Sequence, residues 1–295
     1  ESKKMLSGAK FRVWKDTDNN GKLNTNTDET MGLMTEITDA DGNGTGKFVM
    51  DNLRYGNYFV VERIAPEGYL RSTQVYSFSI TKDGEKVFVG KISNTPIFGN
   101  ICITKIDALS KEKLKGAEFT VYQDIDKDGI ITDGIDTVYS KMNDNGDGTY
   151  YLNDIPYGEY ILKETKSPDG YVITNKVYPF QIQDNGATIV LADDGEIGIP
   201  NTPIHGSIRI IKVDNNTHTP LEGAEFTLYN DKNEIIKTAV TNSDGIADFA
   251  DIRYGKYTVK ETTAPKHYVL DETPIPFEIL EDGKLYEYTQ ENKPD

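Results

Sequence analysis

Along much of the chain, apolar and polar residues alternate with a period of two, in short runs bounded by turn residues. Ile101 to Ile106, Glu118 to Tyr122, Glu159 to Glu164 and Tyr257 to Glu261 are such runs, and Asp-Gly, Asn-Gly and Pro-x-Gly-Tyr sequences punctuate them. A period of two puts successive side chains on opposite faces of a β-strand, and the punctuating sequences favour tight turns. No capped amphipathic stretch of helical length interrupts the pattern. The expected fold is all-β, with about seven strands per repeat in an antiparallel sandwich of immunoglobulin-like type.

The pattern occurs three times. Gly-Ala-Lys-Phe at Gly8 to Phe11 returns as Gly-Ala-Glu-Phe at Gly116 to Phe119 and again at Gly223 to Phe226. Segments opening at Leu53, Ile155 and Ile252 share Tyr-Gly-x-Tyr-x-x-x-Glu and run on to a Pro-x-x-Tyr turn. Each copy closes on an asparagine ahead of a proline: Asn94, Asn201 and Asn292. Self-similarity at about 107 residues marks tandem domains, since solenoid repeats are much shorter. The boundaries predicted are 1–97, 98–204 and 205–295. The first repeat starts only a few residues before its Gly-Ala-Lys-Phe, while the other two carry a full strand ahead of theirs; it is expected to lack its initial strand, and the sequence reads as a segment of something longer. The junctions, 95–99 and 202–206, are short and each holds a proline, which favours an extended rod.

Strand parity singles out three residues per complete repeat. Ile101, Ile103 and Lys105 share a face, as do Ile208, Ile210 and Lys212. Glu164 follows Tyr160 and Leu162 in the same way, Glu261 follows Tyr257 and Val259, and Glu62 follows Tyr58 and Val60; Ile197, Ile199 and Asn201 extend the pattern. A lone buried lysine or glutamate is costly, so burying both in one core implies that they meet. Burial favours a neutral amine beside a protonated carboxyl. Such an amine can attack the side-chain carbonyl of Asn201 or Asn292 while Glu164 or Glu261 polarises the oxygen and carries protons, with ammonia expelled and an isopeptide bond left. Orientation inside a packed core supplies most of the barrier reduction, so the expected reaction is a single-turnover self-reaction rather than turnover of a substrate. In the first repeat Glu62 and Asn94 are present, but the position of the strand lysine precedes residue 1, and Lys3 and Lys4 fall in register with the loop after the strand. Asn94 is therefore expected to be an unpaired acceptor, beside a sheet edge open to a strand from elsewhere.

The combination of Ile-x-Lys-x-Asp, Gly-Ala-Glu-Phe, Tyr-Gly-x-Tyr-x-x-x-Glu, Pro-x-Gly-Tyr and Asn-x-Pro resembles the Cna B-type (SpaA-like) domains of Gram-positive surface adhesins and pilins, over nearly the whole chain. The resemblance implies Lys–Asn isopeptide bonds formed with glutamate assistance. It also implies a stalk or shaft role on the cell surface, with wall attachment through other parts of the parent protein and neighbouring domains as partners.

Two loops add candidate metal chemistry. Asp16, Asp18, Asn20 and Asn24, with the carbonyl of Lys22, and Asp124, Asp126, Asp128 and Thr132, with the carbonyl of Ile130, have the spacing that wraps a loop around calcium. The twelfth position departs: Thr27 and Ile135 stand there, and Asp28 and Asp136 come one residue late. The alternative is an Asp/Asn/Gly-rich turn, the reading preferred for 39–46 and 143–150. The third repeat lacks the pattern.

Composition narrows the partners. A net charge of −16 argues against nucleic acid and anionic membranes. Cys102, the sole cysteine, can form no internal disulfide and is expected to be a buried thiol. No apolar run is long enough for a membrane helix. The three histidines are scattered, and no serine, cysteine and histidine grouping suggests hydrolytic catalysis. The alternative function is direct adhesion to a host matrix protein or glycoprotein, for which Trp14, the only tryptophan, lies beside a candidate loop; its alignment with Tyr122 and Tyr229 points instead to packing.

Overall fold

The computed structural model describes residues 4–295, and no helix occurs among them. In the first repeat the strands are β1 (Lys10–Lys15), β2 (Glu29–Leu33), β3 (Thr35–Thr38), β4 (Gly44–Val49), β5 (Gly56–Ile64), β6 (Tyr69–Leu70), β7 (Val75–Ile80) and β8 (Thr95–Pro96). The second holds β9 (Phe98–Asp107), β10 (Glu118–Gln123), β11 (Thr137–Lys141), β12 (Asn143–Asp144), β13 (Thr149–Pro156), β14 (Gly158–Lys166), β15 (Val177–Ile182), β16 (Thr188–Leu191) and β17 (Ile199–Asn201). The third holds β18 (His205–Asp214), β19 (Glu225–Asn230), β20 (Ile235–Val240), β21 (Ile246–Arg253), β22 (Gly255–Thr263), β23 (Ile275–Ile279) and β24 (Leu285–Asn292).

One four-stranded sheet recurs in the same order: β2-β1-β5-β7, β11-β10-β14-β15 and β20-β19-β22-β23. The opposing sheet is β12-β13-β9-β16, with β17 also on β9, in the second repeat and β21-β18-β24 in the third. Side chains of the two inner faces form one apolar core per repeat, among them Ile101, Phe119 and Leu162 in the second and Ile208, Phe226 and Leu228 in the third. Each fully buried side chain of this size contributes about 1.5 to 3 kcal/mol.

The sandwich is not purely antiparallel as expected. The first strand of a complete repeat pairs parallel with the last: β9 with β16 and β17, and β18 with β24. The chain crosses between the sheets before it returns, so the closing strand runs in the direction of the opening one. In the first repeat no strand precedes β1 among the described residues, and the opposing sheet shrinks to β3 and β4. Asn94, expected on a strand, lies in irregular chain there, since nothing corresponding to β9 is present for its segment to pair with. Lys3 lies outside the described residues.

Two further expectations need correction. Ile197 does not continue the face of Ile199 and Asn201: it is 72% exposed, because the chain turns through Asp193 to Glu196 and β17 begins only at Ile199. Cys102 is half-buried rather than buried, because Ile101 and Ile103 on either side point into the core and the thiol takes the other face of β9. The 39–46 and 143–150 segments do form turns, joining β3 to β4 and β12 to β13.

The junctions are bonded on both sides. Ile97 N–H donates to Gly68 O and Tyr157 N–H donates to Ile97 O; Ile204 and Tyr254 repeat this with Gly170. In the second domain one junction meets the Phe98 end of β9 and the other its Asp107 end, opposite ends of a ten-residue strand. The domains therefore follow one another head to tail.

Candidate functional site

In the second repeat β9, β14 and β17 bring Lys105, Glu164 and Asn201 together, with Lys105 and Glu164 fully buried and Asn201 only 2% exposed. Lys105 Nζ lies 3.2 Å from Glu164 Oε1, and Asn201 Nδ2 donates to Glu164 Oε2 at 3.1 Å and to Val172 O at 2.9 Å. Lys105 Nζ, Glu164 Oε1 and Asn201 Oδ1 make no aligned hydrogen bond, although all three are buried. Buried polar groups with unspent hydrogen-bonding capacity are costly as separate side chains.

The third repeat repeats the constellation with one addition. Lys212 Nζ lies 3.3 Å from Glu261 Oε1 and donates to Asn292 Oδ1, while Asn292 Nδ2 donates to both Glu261 oxygens at 3.0 Å. Lys212 also donates to Gln290 Oε1 at 2.9 Å. The parallel register explains that contact, since Lys212 pairs with Gln290 where Lys105 pairs with Ile199. Sequence reasoning missed Gln290, although its spacing of two from Asn292 was the signal.

In the first repeat Glu62 is 1% exposed and its Oε2 accepts Asn94 Nδ2 at 2.7 Å. Asn94 also donates to Leu70 O, the counterpart of the Val172 contact. Among the described residues Glu62 Oε1 has no partner. In all three repeats the glutamate accepts the N–H ten residues on, from Ser72, Thr174 and Asp271, which fixes the carboxylate. Carboxyl and amide are thus assembled three times and the lysine joins them twice among the described residues.

Burial holds the pKa of Lys105 and Lys212 below the ordinary lysine value, with Glu164 and Glu261 pulling in the opposite direction. Phe119 and Phe226 lie beneath the two ammonium positions, at 5.9 and 5.6 Å from ring centroid to Nζ. The geometry suits nucleophilic attack by an amine on an amide with a carboxyl group in contact with both.

A second recurring group sits at the domain ends. Asp107 accepts the N–H groups of Leu109 and Ser110 and the hydroxyl of Tyr171, and Asp214 accepts those of Asn216, Thr217 and Tyr268. The N–H groups of Thr217 and Asn216, then the Tyr268 hydroxyl, bring the Asp214 pKa down to about 2. Burial opposes such lowering at Asp107, but the Ser110 N–H, the Tyr171 hydroxyl, the Leu109 N–H and the Arg253 charge outweigh it. Both residues were visible as the aspartate of Ile-x-Lys-x-Asp and the tyrosine of Pro-x-x-Tyr, yet nothing in either motif says that they touch.

The acidic loops converge in part as expected. Carboxylate oxygens of Asp16, Asp18 and Asp28 lie within 4.8 Å of one another, as do those of Asp124, Asp126 and Asp128. Asp136 lies outside the second cluster and accepts the N–H groups of Ile125 and Thr132. Asn20 Oδ1 accepts the Lys22 N–H, Asp128 Oδ1 that of Ile130, and Asn24 Oδ1 that of Asn26. The pKa of Asp126 is raised, first by burial and then by the charges of Asp128, Asp136 and Asp124. Asp124 Oδ1 is buried without a partner. Both acidic clusters could hold a cation, and in the second, one of the buried oxygens is orphaned.

The fold and these sites define a class of tandem β-sandwich domains with a lysine, a glutamate and an asparagine buried in each complete core. The chain belongs to the SpaA prealbumin-like fold domain family, whose model matches residues 1–94, 99–196 and 206–294. It is 26% identical over 284 residues to the bone sialoprotein-binding protein of Staphylococcus aureus, covering 84% of this chain and 24% of that protein. Serine-aspartate repeat-containing protein E of the same organism matches to the same extent. The chain thus spans about a quarter of the length of these curated relatives. The Bacillus anthracis TIE protein has a similar structure, with a TM-score of 0.73 and 32% identity over 99% of this chain and 49% of that one.

Proposed function

We propose that this chain is a stalk segment of a Gram-positive cell-surface adhesin or pilus protein, extracellular and braced by autocatalytic bonds from Lys105 to Asn201 and from Lys212 to Asn292. The carrying observation is the burial, in both complete repeats, of a lysine and an asparagine against the same glutamate. Nζ attacks Cγ of the asparagine, a carbon–nitrogen bond forms, Nδ2 leaves as ammonia, and the glutamate moves the proton from amine to leaving group. Glu62 and Asn94 remain an unreacted carboxyl–amide pair. Domain boundaries at 97/98 and 204/205 fit the bonded junction isoleucines. The two acidic loops are assigned to calcium, whose charge would offset the repulsion among their carboxylates. Trp14 is 9% exposed, so the sole tryptophan is not offered to a host ligand.

The intact mass of the purified chain tests this reading. Each bond removes one ammonia, about 17 Da, so two losses are expected and none overturns the assignment. Glu164→Ala and Glu261→Ala should each restore one.

A further inference from the structure

Both domain junctions are built by the same device. The glycine of a Pro-x-Gly-Tyr turn, Gly68 at φ +80 or Gly170 at φ +82, leaves room that the tyrosine of the next domain fills. A Cβ on Gly68 would stand 3.2 Å from Tyr157, which would have to give by a few tenths of an ångström, and one on Gly170 would stand 2.8 Å from Tyr254, which would have to shift. Each tyrosine is held from behind, because the carbonyl just before it accepts a hydroxyl from the core: Tyr160 to Pro156 O and Tyr257 to Arg253 O. At the second junction Arg253 adds a clasp, its Nη2 reaching Asp107 Oδ2 at 3.3 Å and the Tyr171 hydroxyl at 2.8 Å.

The first domain carries the tyrosine half of this device, and among the described residues no glycine turn lies against it. Tyr58 donates to Arg54 O at 2.7 Å, so the backbone ahead of Tyr55 is anchored as in the other two domains. Tyr55 is nevertheless 79% exposed, against 39% for Tyr254, and Arg54 beside it is exposed as well. At the far end of the chain the turn reads Pro265-Lys266-His267-Tyr268. His267 keeps the turn conformation at φ +71, but it puts a side chain where Gly68 and Gly170 have none.

The geometry points to Arg54 and Tyr55 as a docking surface for the end of another domain of this same class. That domain presents the glycine of a Pro-x-Gly-Tyr turn to Tyr55 and an Asp–Tyr pair, like Asp107 and Tyr171, to Arg54. The His267 end of this segment does not offer the matching half, so the stacking is directional and this segment cannot serve as its own preceding neighbour. The inference stands on the junctions and is independent of bond formation in the cores.

Two measurements of tyrosine reactivity toward N-acetylimidazole, read by peptide mapping, test it. In the chain itself, Gly170→His is expected to raise the reactivity of Tyr254 severalfold, in a turn that His267 shows can hold histidine; unchanged reactivity means that the glycine contact does not hold the junction, and the inference falls. In a chimera with residues 98–215 placed ahead of residue 1, the register of Gly8 with Gly223 makes Glu1 follow Asn215 directly. Tyr55 should then become severalfold less reactive than in the parent, and the loss should reverse when the added copy carries Gly170→His. Equal reactivity of Tyr55 in parent and chimera overturns the assignment. Neither readout responds to ammonia loss, so failure here and failure of the cross-linking reading are separable.

Discussion

At the scale of single residues, the surroundings of the two buried lysines differ in one polar neighbour. Lys212 is surrounded by three oxygen acceptors, from Gln290, Asn292 and Glu261, which suits an ammonium ion. Lys105 faces Glu164 with no aligned acceptor, because Ile199 takes the place of Gln290. Attack requires the neutral amine, so the third-domain bond is expected to form more slowly than the second. Cell-free synthesis with timed acid quenching and peptide mapping would measure both rates; Gln290→Ile should bring the third-domain rate toward that of the second, and equal rates in the parent would remove this role. Titration offers a second check. A lysine whose pKa is lowered in the folded state leaves the unfolded chain binding more protons up to the ordinary value near 10.4, so stability rises with pH in that window. The double variant Asn201→Ala/Asn292→Ala retains both amines and should gain stability from pH 7 to about 9.5, whereas an amide does not titrate and the parent should lack that rise. Urea unfolding at each pH reads the difference. Tyr160, whose pKa burial and then Tyr139 push up to about 12, works in the opposite direction only above the ordinary tyrosine value near 10.

At the scale of strands and loops, parity along β9, β14, β18 and β22 was enough to place the lysines and glutamates on the core side. Alternation carries no strand direction, which is why the parallel pairing of β9 with β16 and β17 was not legible and neither was the meeting of Lys212 with Gln290. Ile197 shows the converse: parity held on paper, but a turn through Asp193 to Glu196 broke the strand before it. The Asp–Tyr contact at each complete domain end was hidden for another reason, since its partners are brought together by the sandwich rather than by spacing. That contact should be measurable. Tyr171→Phe removes a hydroxyl shared by Asp107 and Arg253 and is expected to lower stability by about 1.5 to 3 kcal/mol, as for a hydrogen bond to a charged group. In the loops, Asp16→Asn and Asp124→Asn should abolish any rise in protease resistance that calcium confers on the parent. A parent indifferent to both calcium and chelator would leave these loops as turns.

At the scale of the whole molecule, the proposed cross-links close nearly all of each complete domain into a ring. A closed loop of about 100 residues is worth roughly 4 to 5 kcal/mol in the chain-entropy account. Glu164→Ala should therefore lower the melting temperature of the second domain sharply and leave the first nearly unchanged, which differential scanning calorimetry would resolve; equal melting of variant and parent would count against the brace. The position of the linkage within the fold has one more consequence. Lys105 stands near the end of the domain's opening strand, and Asn201 is the last residue of its closing one. Once these two are joined, a protease that cuts once anywhere from Ile106 to Pro200 releases nothing: the fragments remain one branched molecule, with the severed loop hanging from an unbroken line through the domain.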